Sequence, residues 1–153
     1  GVQTCALPIY GIDVITKPYP GIIEALNALK NKDIILNVLS NKPQRFTDKL
    51  IDRHFGKDTF RFVFGENDRF PKKPDPSCAA YILEENGIAP EEAVFVGDGD
   101  SDIQTALSLG MGAFAVLWGY RTYDDLVKAG AKRFLSLPSE IYGAVTDDFR
   151  YNE

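Results

Sequence analysis

Three short polar segments of the 153-residue sequence combine a hydroxyl, amines and several carboxylates. They are residues 40–42, 72–76 and 97–102, and each lies beside an apolar run. A hydroxyl can donate a hydrogen bond, and a lysine ammonium can neutralise an anion. Carboxylate oxygens are ligands that hard divalent cations prefer. If the apolar runs are parallel strands, their carboxyl ends bring these segments to one crevice, where open α/β sheets bind ligands.

Each segment also has a simpler interpretation, and these alternatives remain open at the sequence level. Ser40 could cap the helix that follows it. Lys73 could be a solvated loop lysine. Asp98, Asp100 and Asp102 could serve only to favour a turn and a helix N-terminus.

The carboxylate segment does not fit the competing motifs. Asp98, Asp100 and Asp102 begin like a calcium loop, but Ile103 and Leu109 occupy the positions that need glycine and glutamate. No G-x-G-x-x-G follows an apolar run, and no G-x-S-x-G occurs. The dinucleotide fingerprint and the serine-hydrolase elbow are therefore excluded.

The elements that must position these segments alternate along the chain. Apolar periodicity and β-branched runs predict helices at 22–29, 43–55, 77–86, 102–109, 123–128 and 140–145, and strands at 33–40, 60–65, 93–96 and 112–118. This alternation predicts a parallel sheet with helices on both faces. Without an internal repeat or a linker, the length favours one domain.

Composition narrows the function classes. Hydrophobic residues make up 44% and charged residues 25%, and the net charge is −5. No run of basic residues exceeds two, which argues against a nucleic-acid partner, and no apolar run is long enough to span a membrane. Cys5 and Cys78 form no spacing pattern, so we expect no disulfide or zinc site and a cytoplasmic location. His54 is the single histidine and is interpreted as an ordinary helix residue.

Residues 1–9 match no structural pattern. The string GVQTCALPI reads as the in-frame translation of a common short-read sequencing adapter. We therefore interpret 1–9 as an artefact and 10–153 as part of one natural domain whose true start is missing.

Taken in order, the polar segments resemble the haloacid dehalogenase superfamily, and specifically its phosphoglycolate phosphatase-like branch. ILNVLSNKP contains Ser40, KKPDP contains Lys73, and VFVGDGDSD contains Asp98 and Asp102; VLWGYRTYDDLVKAGA is also typical of the branch. The resemblance covers approximately residues 17–141. It implies a Rossmann-like three-layer α/β/α sandwich with a parallel sheet.

One motif of this family is absent from the sequence. The family's first strand ends in D-x-D-G-[TS], which supplies the nucleophilic aspartate, and no such string precedes Ser40. The resemblance therefore implies that the first strand and the helical cap are missing and that this chain alone is inactive. The strands ending near Ser40 and Asp98 should flank the missing strand. We expect them to close on each other, to leave a gap or to recruit the N-terminal segment.

The resemblance also implies roles for the site residues. The Ser40 hydroxyl and the backbone amide of Asn41 would bind phosphate oxygens, and Lys73 would neutralise their charge. Asp98 would bind Mg²⁺. Asp102 would act either through a metal-bound water or by holding Lys73.

The function implied is Mg²⁺-dependent hydrolysis of a small phosphorylated metabolite through an aspartyl-phosphate, with 2-phosphoglycolate the leading candidate. Another phosphatase of the superfamily, a nucleotide-related phosphatase or a phosphosugar mutase are alternatives. So is a non-catalytic phosphate-binding module of the receiver type, although receivers carry their acidic pair before the hydroxyl and the lysine. The sequence leaves the oligomeric state open.

Overall fold

The computed structural model describes residues 16–148, which form alternating helices and strands. The artefact predicted at 1–9 lies outside this range. The helices are α1 (Ile22–Lys30), α2 (Gln44–Phe55), α3 (Ser77–Asn86), α4 (Asp100–Leu109), α5 (Tyr123–Lys128) and α6 (Ile141–Gly143); the strands are β1 (Asn37–Pro43), β2 (Phe62–Glu66), β3 (Val94–Gly97), β4 (Gly112–Val116) and β5 (Phe134–Leu135). Short 3₁₀ turns lie at Pro90–Glu92 and Pro138–Glu140, and α6 continues as a π-helical turn at Ala144–Asp148.

All strand pairs among residues 16–148 are parallel, as predicted, but the ladder is in two parts. β1 pairs with β2, and β4 pairs with both β3 and β5. Within residues 16–148, no ladder joins β1 to β3. Both strands instead line a cleft of about 770 Å³. Of the three outcomes expected for these strands, the described residues therefore show the gap.

Strand β4 shows how the helical layers cover the sheet. Successive residues of a strand face opposite sides. Phe114 and Val116 belong to the core cluster that contains Leu29 of α1, whereas Ala115 between them packs with Ile103 of α4. Burial on both sides explains why β4 is a continuous apolar run. The arrangement confirms the expected α/β/α layers.

Most element boundaries lie within two residues of the predicted ones, and the exceptions have local causes. Helices 77–86 and 123–128 are as predicted. β1 begins at Asn37 rather than residue 33, because the chain first makes a turn in which Asp33 has a φ of 57° and Ile34 N donates to Leu29 O. β5 was not predicted, because two residues are too few to form a periodic pattern. The predicted helix at 140–145 is divided between α6 and the π-helical turn.

In the described part of the chain, no helix combines the length and apolar character that crossing a bilayer requires.

Candidate functional site

Lys73 lies where the two parts of the sheet meet. It belongs to the loop between β2 and α3, and only 9% of its side chain is exposed. Its Nζ donates to the carbonyl oxygen of Leu39 in β1 at 2.9 Å and forms an ion pair with Asp102 Oδ1. One ammonium thus connects the carboxyl end of β1 with the turn that follows β3.

Asp102 is buried in the first turn of α4, and its geometry depends on the glycines before it. Its Oδ2 accepts a hydrogen bond from Gly99 N at 3.0 Å. A Cβ atom on Gly97 would overlap the Asp102 carboxylate. A glycine at the end of β3 is therefore required for this carboxylate to fold back over the strand and reach Lys73.

Asp98 follows β3 directly and is half-buried. Its Oδ2 accepts a hydrogen bond from Tyr120 N at 3.0 Å, in the loop after β4. Burial raises the pKa of Asp98 above its usual value, the Tyr120 hydrogen bond opposes that shift, and the nearby charge of Asp102 adds to it. A cation beside Asp98 would offset the charge that burial disfavours.

Ser40 is half-buried near the end of β1 and does not cap α2. The N-cap of α2 is Pro43, which makes no side-chain capping bond. Ser40 Oγ instead accepts from Lys42 N at 3.1 Å. This contact uses the hydroxyl oxygen as an acceptor and leaves its proton able to donate to an anion.

The side chain of Asn41 makes a contact that the sequence did not predict. Asn41 Oδ1 accepts from Lys73 N at 2.9 Å, and Asn41 Nδ2 donates to Lys73 O at 3.0 Å. The sequence assigned only the backbone amide of Asn41 to the site. No spacing rule indicates this pair, because its partners are 32 residues apart.

Other polar residues singled out in the sequence lie apart from this set. Asp100 faces Arg121, with 3.3 Å between Oδ1 and Nε, and both side chains are well exposed. His54 lies in the last turn of α2. The backbone amide of Tyr120 does contact a residue of the site. The sequence did not predict this contact, because Tyr120 lies 22 residues after its partner Asp98.

Asp98 and Asp102 offer the hard oxygen ligands that suit Mg²⁺, which often binds proteins through one or two carboxylates and retains several waters. Asp102 already contacts Lys73 and Gly99. Asp98 is therefore the better candidate for direct ligation. Across residues 16–148 no group of three or more His, Cys, Asp or Glu side chains is arranged to hold a metal ion.

The parallel α/β fold and the site at the strand ends define a Rossmann-like domain with its polar site at the carboxyl edge of the sheet. Residues 11–116 match the sequence profile of the family described as haloacid dehalogenase-like hydrolase, and the chain belongs to that family.

Relatives and solved structures agree with this family. The chain is 39% identical over 107 residues to the phosphoglycolate phosphatase of Aquifex aeolicus, covering 70% of this chain and 50% of that protein. A predicted phosphoglycolate phosphatase from Haemophilus somnus is 27% identical with a TM-score of 0.77, covering 83% of this chain and 56% of that one. CbbY from Rhodobacter sphaeroides, solved with xylulose-(1,5)-bisphosphate, is 25% identical with a TM-score of 0.71. The match covers 82% of this chain and 56% of CbbY.

The chain thus spans 50% of the length of the Aquifex aeolicus protein, and it spans 39% of the length of the phosphoglycolate phosphatase of Pseudomonas putida.

Proposed function

We propose that this chain belongs to a Mg²⁺-dependent phosphomonoester hydrolase that acts on a small phosphorylated metabolite, with 2-phosphoglycolate as the leading substrate. One observation carries the proposal: the Lys73 ammonium is held between Asp102 and the carbonyl oxygen of Leu39, the residue before Ser40 in β1, and Lys73 and Ser40 line the same small pocket. A compact positive charge and a hydroxyl donor at the same strand end form a suitable binding site for a phosphate group.

Each residue has a role in this proposal. The Ser40 hydroxyl and the Asn41 backbone amide donate to phosphate oxygens, and Lys73 neutralises part of their charge. Hydrogen bonds that involve an ionised partner are shorter and stronger than neutral ones, so Lys73 contributes most to affinity. Because phosphoryl transfer depends mainly on positioning and on charge stabilisation, these contacts serve both binding and reaction.

Asp98 is proposed to hold the Mg²⁺ ion directly, while Asp102 fixes Lys73. The ion, when bound, supplies positive charge that offsets the charge of the phosphate oxygens. The contacts of Asp102 favour its lysine-holding role over the alternative of acting through a metal-bound water.

The covalent aspartyl-phosphate intermediate remains part of the proposal for the whole protein. It requires an aspartate nucleophile, which the resemblance assigns to a motif that the sequence does not show before Ser40. Phosphate binding is therefore the step on which this chain itself can be tested.

Isothermal titration of the chain with inorganic phosphate and with 2-phosphoglycolate, with and without Mg²⁺, tests the proposal. We expect Lys73→Ala to weaken binding by about tenfold or more, since a charge-assisted contact is lost. Lys72→Ala is the matched control, because Lys72 is 54% exposed and pairs with Glu66 at 2.8 Å; its affinity should stay within about twofold of the parent, as for an exposed ion pair.

Equal weakening in both variants, or no phosphate binding by a folded parent chain, would contradict the proposed site. The longer protein from the same locus should hydrolyse phosphomonoesters and lose that activity on Asp98→Ala. Binding without turnover in that longer protein would favour the non-catalytic phosphate-binding module instead. Comparison of 2-phosphoglycolate with p-nitrophenyl phosphate tests the choice of substrate.

A further inference from the structure

The loop that carries Lys73 has no regular structure of its own. Residues 67–76 join β2 to α3 and contain neither helix nor strand. Side-chain hydrogen bonds form local turns at its two ends: Asn67 Oδ1 accepts from Arg69 N at 2.8 Å, and Asp75 Oδ1 accepts from Ser77 N at 2.9 Å. These turns shape the loop, but they do not connect Lys73 to β1, the strand whose Leu39 carbonyl its ammonium contacts.

Asn41 makes that connection. Its carboxamide presents one donor and one acceptor, as a peptide group does, and both engage the backbone of Lys73. The regular pairing of β1 with β2 reaches Leu39 and is irregular from there to Pro43. Asn41 lies within this irregular stretch, so its side chain extends hydrogen bonding from the strand to the loop.

Lys73 is consequently held at both of its ends by one strand. Asn41 binds its backbone, and Leu39 O accepts from its Nζ at 2.9 Å. The lysine side chain is long and flexible, so fixing the backbone from which it extends narrows the positions that the ammonium can reach.

We infer that Asn41 is a positioning residue, which sets the place of the Lys73 ammonium through its side chain. Its carboxamide is committed to Lys73, so the side chain acts on a bound anion through the lysine. The effect on anion binding rests on the proposed function, whereas the effect on Lys73 itself rests only on the contacts described above.

Gln44, the first residue of α2, offers a matched control. Its carboxamide makes the same kind of pair with a neighbouring backbone: Nε2 donates to Val63 O at 2.9 Å, and Oε1 accepts from Gly65 N at 2.7 Å. Gln44→Ala therefore removes these two bonds, and a further bond from Nε2 to Asp48 Oδ1 at 2.8 Å, without touching Lys73.

The experiment measures the rate at which Lys73 is acetylated by a water-soluble N-hydroxysuccinimide ester, by peptide mass spectrometry, with exposed Lys72 as the internal reference. We expect Asn41→Ala to raise the Lys73 rate about fivefold or more, because local opening of the loop becomes more frequent. Gln44→Ala should leave the rate within about twofold, since its bonds belong to a different segment. The Lys73 acetylation rate of Asn41→Asp should lie between those of the parent and of Asn41→Ala, because the carboxylate still accepts from Lys73 N but cannot donate to Lys73 O.

Inorganic phosphate is titrated into the same variants. All of them keep the backbone amide of residue 41, so a weaker affinity in Asn41→Ala reports the side chain alone. An equal increase of Lys73 acetylation in Asn41→Ala and Gln44→Ala would overturn the inference, as would no increase in either. A selective increase of acetylation in a parent chain that binds no phosphate would support the positioning role and contradict the proposed function.

Discussion

The ammonium of Lys73 and the carboxylate of Asp102 lie in contact, with only 9% of each side chain exposed. Bringing two charges out of water costs free energy that their attraction only partly returns. Such a pair is therefore weak evidence of stabilisation, but the loss of one partner leaves the other charge buried and uncompensated. At this site the same charges place a cation where an anion is proposed to bind.

Lys73→Met should lower the free energy of unfolding by about 3 kcal/mol, because the Asp102 carboxylate loses its counter-charge. Lys72→Met, which alters an exposed pair, should change it by less than about 0.5 kcal/mol. Urea unfolding followed by circular dichroism measures both values. Asp102→Asn introduced with Lys73→Met should recover part of the loss, and full additivity of the two substitutions would show that the pair is not coupled.

Cys78 lies beneath the site and is buried. Burial raises the pKa of its thiol to about 11, although the charges of Arg69 and Lys73 oppose the shift. The unfolded chain then loses the thiol proton at lower pH than the folded chain, so stability from this group is complete below pH 9 and is lost as the pH rises towards 11.

The unfolding free energy of the parent chain should therefore fall by about 1 kcal/mol more than that of Cys78→Ala between pH 8 and pH 10. Lysine and tyrosine titration is common to both chains and cancels in the difference. Urea unfolding at several pH values measures it. A difference that stays constant with pH would show that the folded thiol titrates normally.

At the residue scale, the sequence predicts which polar side chains lie near strand ends, such as Ser40, Lys73 and Asp102. It does not predict contacts made by a loop that returns from a distance. The Asn41 carboxamide meets a backbone 32 residues away, and Asp98 meets an amide 22 residues away. Such pairs depend on loop conformation, which periodicity does not encode.

At the scale of the element, the turn from β3 into α4 joins fold and site. Gly97 ends the strand, and the Asp102 carboxylate occupies the space where a Cβ of residue 97 would lie. The helix also begins at Asp100 rather than at the predicted residue 102. Its first turn therefore includes the carboxylate that holds Lys73.

Gly97→Ala should destabilise the chain by about 2 kcal/mol, as for overpacking of a close contact, and should weaken phosphate binding by displacing Asp102. Gly143→Ala is the control, because a Cβ there meets nothing within 4 Å and its φ is not positive. That substitution lies in α6 and should be neutral or stabilise by up to about 1 kcal/mol. Thermal unfolding and phosphate titration of both variants test this, and equal behaviour would contradict the steric argument.

The elements as a whole were largely predictable because their apolar periodicity is strong. α3 and α5 have the predicted bounds. The start of β1 was predicted four residues early, since the apolar residues 34–36 extend the β-branched run while the backbone is still turning after α1. β5 depends on pairing with β4, a long-range contact that a two-residue segment cannot reveal.

At the scale of the whole molecule, the divided sheet is the dominant feature. The cleft of about 770 Å³ between β1 and β3 is lined largely by apolar side chains, including Val38, Leu39 and Phe95. Apolar surface that lines such a cleft is favourable to cover, because burial removes it from water.

We therefore expect the native chain to bind an apolar probe in this cleft. The dye 8-anilinonaphthalene-1-sulfonate should bind at about one molecule per chain, with enhanced fluorescence well below the urea concentration that unfolds the protein. Ala79→Leu adds apolar volume to the lining of the cleft from α3. It should weaken dye binding and raise the urea concentration at which half of the protein is unfolded. Ala80→Leu, its neighbour on the same helix but not part of the lining, should change neither. Dye binding that responds equally to both substitutions would place the dye elsewhere on the protein. If the native chain binds no dye, the two parts of the sheet do not leave an accessible apolar cleft in solution.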